Sequence, residues 1–106
     1  MPAPVYSTLF YSGAPSSSGE QQIYVVPLDK VAVVRDLSWY NDHSADAELF
    51  VVIEPGASIL YASGAQPSHQ FTHYEGRQVV PGGSSINTIF AGGVGRIRVC
   101  GYLLDA

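Results

Sequence analysis

The sequence predicts an all-β domain: an antiparallel two-sheet sandwich of about eight short strands, jelly-roll-like, with a small β-barrel as the alternative. Three observations point there. Runs of β-branched and aromatic residues recur along the chain, broken about every 8–12 residues by clusters of Gly, Pro, Asp and Ser. No stretch carries apolar residues at i, i+3, i+4 and i+7 beyond two turns, so helical periodicity is missing. The length of 106 residues suits one domain.

The first run is Val5 to Tyr11. A Gly/Pro/Ser-rich linker from Ser12 to Gly19 follows and reads as a loop. Residues 1–19 therefore form an N-terminal strand and flexible linker, and residues 20–106 the sandwich domain. The strand is expected either at an edge of its own sheet or as an arm that pairs with a neighbouring subunit. Glu20 to Val26 is the second strand. Pro27-Leu28-Asp29-Lys30 is a turn, with Pro setting φ and Asp accepting from nearby backbone, and is expected to fix a hairpin register. Val31 to Tyr40 is the longest strand, on which simple alternation groups Trp39 with Val31, Val33 and Leu37 in the core. Residues 41–46 are a loop. Glu48 to Ile53 is almost continuously apolar, as a strand buried on both faces would be. Glu54-Pro55-Gly56 stops it. Ser58 to Ala62, His69 to Glu75, Ser85 to Phe90 and Gly95 to Leu104 complete the eight, separated by turns at 63–67, 81–83 and 91–94.

Charged residues make up only 13% of the chain, against about 25% in an average soluble domain. So sparse a charge suits a subunit that buries surface against its neighbours, and a homo-oligomer, trimer or higher, is expected. The net charge is −4. Its five basic residues, Lys30, Arg35, Arg77, Arg96 and Arg98, make no stripe of the kind that neutralises phosphates, so nucleic acid is not an expected partner. Nor is a membrane: no apolar run approaches the ~20 residues of a spanning helix. Cys100 is the single cysteine, which excludes an internal disulfide and reads as a small hydrophobe. Met1-Pro2-Ala3-Pro4 lacks the basic and apolar regions of a signal peptide.

Catalytic signals are missing. There is no Gly-x-Ser-x-Gly elbow and no evident carboxylate pair. Ala91 to Arg96 is Gly-rich but lacks the Lys-Ser/Thr ending of a phosphate loop and reads as a hairpin turn. No enzymatic activity and no cofactor are expected. His69 and His73 stand about 13 Å apart on a strand, too far to share an ion. His73 and Glu75 lie on one face about 7 Å apart and supply two ligands. A stable zinc site needs a third. His43 or Asp42 is the candidate, but no spacing brings either in, so no metal is assigned. Tyr40, Tyr61 and Tyr74, near strand ends and loops, are candidate glycan contacts through ring stacking.

Three segments carry a resemblance: Tyr24-Val25-Val26-Pro27-Leu28-Asp29-Lys30 running into Val31-Ala32-Val33-Val34-Arg35-Asp36-Leu37, then Glu75-Gly76-Arg77-Gln78-Val79-Val80-Pro81-Gly82-Gly83, and the ending Arg98 to Leu104 with Gly101-Tyr102-Leu103-Leu104. Over most of residues 24–104 the chain resembles small virion proteins of tailed bacteriophages, notably of actinobacterial hosts. One departure is Asp29 where that pattern usually has Gly; a type I turn accepts Asp. The resemblance implies a non-catalytic β-sandwich, a minor tail component or a capsid decoration subunit, made in the bacterial host cytoplasm and carried in the virion. It implies other virion proteins as partners, with a host-surface glycan as the alternative ligand. Val5, Tyr6, Leu9, Phe10 and Tyr11 are the expected assembly contacts, with Arg35 and Arg77 forming ion pairs to another strand or another subunit.

Overall fold

The computed structural model describes residues 8–106. The eight strands are β1 (Thr8–Gly13), β2 (Gln21–Val25), β3 (Lys30–Tyr40), β4 (Glu48–Glu54), β5 (Ser58–Ala62), β6 (Phe71–Val80), β7 (Ser85–Ala91) and β8 (Arg96–Asp105). They form two antiparallel sheets of four, in the orders β1-β8-β3-β6 and β2-β7-β4-β5. Pairing first with last, second with seventh, third with sixth and fourth with fifth is a long double hairpin rolled into a sandwich, which is the jelly-roll order. The predicted fold class holds, and the barrel alternative does not. Among the described residues no helix is long and apolar enough to cross a membrane.

This topology corrects three local expectations. Pro27–Lys30 is a turn, with the Lys30 amide donating to the Pro27 carbonyl at 3.0 Å, but it fixes no hairpin. β2 pairs with β7, and β3 pairs with β6 and β8, so the turn carries the chain from one sheet to the other. The Gly-rich link 92–95 likewise crosses between β7 and β8, which lie in different sheets. Among described residues β4 and β5 are the only consecutive strands that pair. The third correction is β6, which starts at Phe71 and runs on to Val80, because Gln78 and Val80 continue the pairing with β3.

The core lies between the sheets and centres on Trp39, Leu37, Val34, Leu49, Val51, Ile86 and Val99, all essentially inaccessible. Trp39 is buried as expected, meeting Phe90 edge-on at 5.9 Å. Leu37 joins it as expected, while Val31 and Val33 do not share its face, although Val33 is itself buried. On β3 the core side chains are Ala32, Val34, Leu37 and Trp39, whereas Val31 and Val33 have the other parity. The cause is a bulge at Arg35: Val34 faces Gly101 and Asp36 faces Cys100 on β8. Two steps on β3 match one step on β8, and the extra residue shifts which face every later side chain takes.

The turn at 27–30 rests on Gly82, where a Cβ would lie 2.6 Å from the Lys30 carbonyl oxygen and 2.7 Å from that of Leu28. Lys30 then pairs with Asp105 across β3 and β8. That bond raises the Lys30 pKa and lowers that of Asp105. The pair therefore contributes its full stability between the unfolded carboxylate and unfolded lysine ranges and loses it as pH falls through the folded Asp105 pKa or rises through that of Lys30, weakly, since both groups are solvated.

Thr88 shares β7's inward parity with Ile86 and Phe90 and is fully buried. Its hydroxyl has no partner among the described residues. An unpaired buried hydroxyl costs about 1–3 kcal/mol. Thr88→Val is expected to raise the unfolding free energy by about 1 kcal/mol, read as an upward shift of the urea midpoint at constant m-value. A downward shift would refute the account.

Candidate functional site

The outward face of the β1-β8-β3-β6 sheet gathers most of the chain's distinctive side chains. Because cross-strand partners share a face, the register reads this surface off in rows. At one end Tyr40 lies between Phe71 and Arg96; next come Ser38, His73 and Arg98; then Asp36, Glu75, Cys100 and Leu9. Beyond the bulge Val33 lies between Val79 and Tyr102, and Val31 faces Leu104. The rows pass from aromatic and basic, through a polar band, to apolar.

The polar band is centred on an Asp-His-Glu cluster. His73 Nε2 stands 3.3 Å from Glu75 Oε1 and 3.6 Å from Asp36 Oδ1, and one donor atom from each residue lies within 4.8 Å of the others. Asp36 and Glu75 are directly opposite partners on β3 and β6. His73 and Glu75 are the pair the sequence singles out. The third member is Asp36 rather than Asp42 or His43. Asp42 lies near Arg96 at 3.5 Å, and the His43 ring bonds the Val94 carbonyl. Asp36 faces outward because Leu37 and Trp39 of the same strand face inward, and cross-strand pairing sets it opposite Glu75. A cleft of about 330 Å³ opens over part of the band, lined by Asp36 and His73 together with Ser38, Arg98 and Cys100.

The two arginines expected to form ion pairs sit where both strands are irregular. From Val34–Gln78 to Asp36–Glu75 the register advances by two on β3 and three on β6. Arg35 is exposed, and its Nε donates to the Gly76 carbonyl at 3.0 Å. Its in-chain partner is thus a backbone oxygen rather than a carboxylate. Arg77 is exposed beside it, and among described residues neither forms an ion pair.

Val5 and Tyr6 lie outside the described residues. Of the other expected assembly contacts, Leu9 is 53% exposed on the outward face, while Phe10 is 6% exposed in the core and meets Tyr24 at 4.8 Å. Tyr11 packs against the core from the edge. β1 pairs with β8 of the same chain.

The three candidate glycan tyrosines do not converge. Tyr61 and Tyr74 meet at 5.5 Å and pack against the core, with the Tyr74 hydroxyl accepting from Gln78. Tyr40 stands on the outward face, its hydroxyl 3.1 Å from His69 Nδ1. It lines a groove of about 340 Å³ with Phe71, Arg96 and Arg98.

One buried polar residue passed unremarked in the sequence. Asn41 is wholly inaccessible. Its amide nitrogen lies 3.0–3.1 Å from the carbonyls of Ala45, Gln66 and Pro67, and its oxygen accepts from the His43 amide. Its backbone adds bonds to His69 and Gln70. A single side chain thereby ties the 41–47 loop to the 63–70 segment.

No family model matches the chain, and no curated protein or solved structure is similar to it at a significant level.

Proposed function

We propose that the chain is a structural virion subunit of a tailed bacteriophage, a minor tail component or capsid decoration subunit that acts through subunit–subunit contacts and has no catalytic role. The observation that carries this reading is the apolar end of the outward sheet face. Val79 and Leu104 are 58% and 41% exposed there, beside Val33, Val31 and Tyr102. Leu9, in the adjoining row at the β1 edge, adds exposed apolar surface. An exposed apolar strip bordered by a polar band fits a protein partner. The motifs that resemble those of phage virion proteins are consistent with it: each occupies a structural position, the turn on Gly82, the paired bulge and the β3–β8 junction.

Antibody against the chain should label purified particles of the phage that encodes it. The Val79→Asp, Leu104→Asp double variant should fold normally by circular dichroism yet enter particles about tenfold less, an effect of about 1.4 kcal/mol. Absence of the chain from purified particles would overturn the reading.

The second reading is a carbohydrate-binding module at a tail tip. The exposed Phe71 ring beside Tyr40 and two arginines favours it, since such a groove offers a stacking platform flanked by donors. Tyr40→Ala with Phe71→Ala would then abolish binding on a glycan array.

A further inference from the structure

We propose that Asp36, His73 and Glu75 form a binding site for one divalent transition-metal ion of the zinc class, on the outward face of the β1-β8-β3-β6 sheet. The proposal stands apart from the assembly reading and requires no second subunit.

Two independent features carry it. The first is geometry. Zinc binds imidazole nitrogen and carboxylate oxygen at about 2.0–2.2 Å, so neighbouring donors in a tetrahedral shell are about 3.4 Å apart. The distances from His73 Nε2 are 3.3 Å to Glu75 and 3.6 Å to Asp36. Both carboxylates thus stand from His73 at about the separation that a shared ion would impose, and they lie within 4.8 Å of each other. The borderline imidazole nitrogen favours zinc, which also accepts carboxylate oxygens; calcium prefers six to eight oxygens at longer range.

The second feature is an electrostatic debt. Asp36 and Glu75 are carboxylates on directly opposed residues, an arrangement that destabilises a sheet unless something neutralises it. Among described residues the only basic group within 4.0 Å of either carboxylate is His73. The nearby arginines are not used: Arg35 bonds the Gly76 carbonyl, and Arg98 forms no ion pair among described residues. Two carboxylates and a neutral imidazole sum to −2, the complement of a divalent cation.

The local fold serves the same end. β3 bulges at Arg35 and β6 gains a residue at Gly76–Arg77. Bulges of this kind re-aim side chains, and here the re-aimed residue is Asp36. Three protein donors leave a fourth coordination position open toward the cleft, as in sites that keep an exchangeable water.

Titration of Zn2+ into the chelator-stripped full chain, followed by calorimetry, tests the proposal. One ion per chain should bind saturably at submillimolar concentration. His73→Gln and Asp36→Asn should each weaken binding by at least about tenfold. His43→Gln and His69→Gln should leave it unchanged. Co2+ should give visible bands that His73→Gln removes. All four substitutions are at partly or fully solvent-accessible positions, and circular dichroism checks their folding. No saturable binding by the wild type, or equal binding by His73→Gln, overturns the proposal. Neither outcome bears on whether the chain enters virions.

Discussion

Gly101→Ala is expected to unfold the domain or leave it barely folded at room temperature. A Cβ at Gly101 would lie 1.8 Å from the Val33 carbonyl oxygen, 2.9 Å from its carbon and 3.0 Å from the Phe10 ring. The first distance is far inside van der Waals contact and the obstacle is backbone, so no rotamer change relieves it. β8 lies between β1 and β3, and β3 between β8 and β6; neither central strand can retreat without breaking a second ladder. Ordinary overpacking costs about 1–3 kcal/mol, and this case exceeds it, at about 4 kcal/mol or more. A domain this size has only about 5–15 kcal/mol to lose. Soluble yield and the urea midpoint measure the effect. A midpoint within about 1 kcal/mol of wild type would show that the β3–β8 junction is looser than described.

The second large effect is expected at Asn41. Asn41→Asp keeps the shape and exchanges a donor for an acceptor. The new carboxylate would face the carbonyls of Ala45, Gln66 and Pro67 with no water to solvate it. Burying an unpaired charge and orphaning carbonyls together cost about 3–5 kcal/mol. The sign of the pH dependence follows from that environment. Burial and carbonyl dipoles raise the folded-state pKa of the new carboxyl above its unfolded value. The penalty is therefore full well above the folded pKa and shrinks as pH falls toward the unfolded one, because the neutral acid donates a proton where Asn41 did. Thermal unfolding at pH 7 and at pH 4 measures this, with the gap to wild type narrowing at the lower pH. A constant gap would exclude the electrostatic account.

Period-two runs and turn chemistry made the strands legible, and strand number and fold class followed from them. The Pro27–Lys30 turn was legible as a turn but not as a bridge between sheets, since the same residues serve either and only long-range pairing decides. Trp39 was placed in the core from its size and apolar neighbours. Leu37 keeps the face of Trp39, but Val31 and Val33 do not, because one extra residue at Arg35 reverses the parity. Asp36 falls outward under simple alternation, but its cross-strand partner does not show. His73 and Glu75 stand two apart and could be paired by counting, whereas Asp36 joins them through a strand partnership and an irregularity, neither of which leaves a local mark. Asn41 escaped notice for a related reason: its partners lie up to 26 positions away.

The β1-β8-β3-β6 order also sets a timetable for synthesis. β1 joins its sheet only through β8, with Thr8 facing Gly101, and β8 is the last of the eight strands to leave the ribosome. Until then β1 has no partner, β3 has one open side, and the core lacks Ile97 and Val99. The β4–β5 hairpin can form locally on the nascent chain, but the sandwich cannot close. Closure of the sandwich therefore waits for β8, and folding dominated by such distant pairings is slow. During that interval β1 is an unpaired strand edge, the kind of edge to which another strand can add.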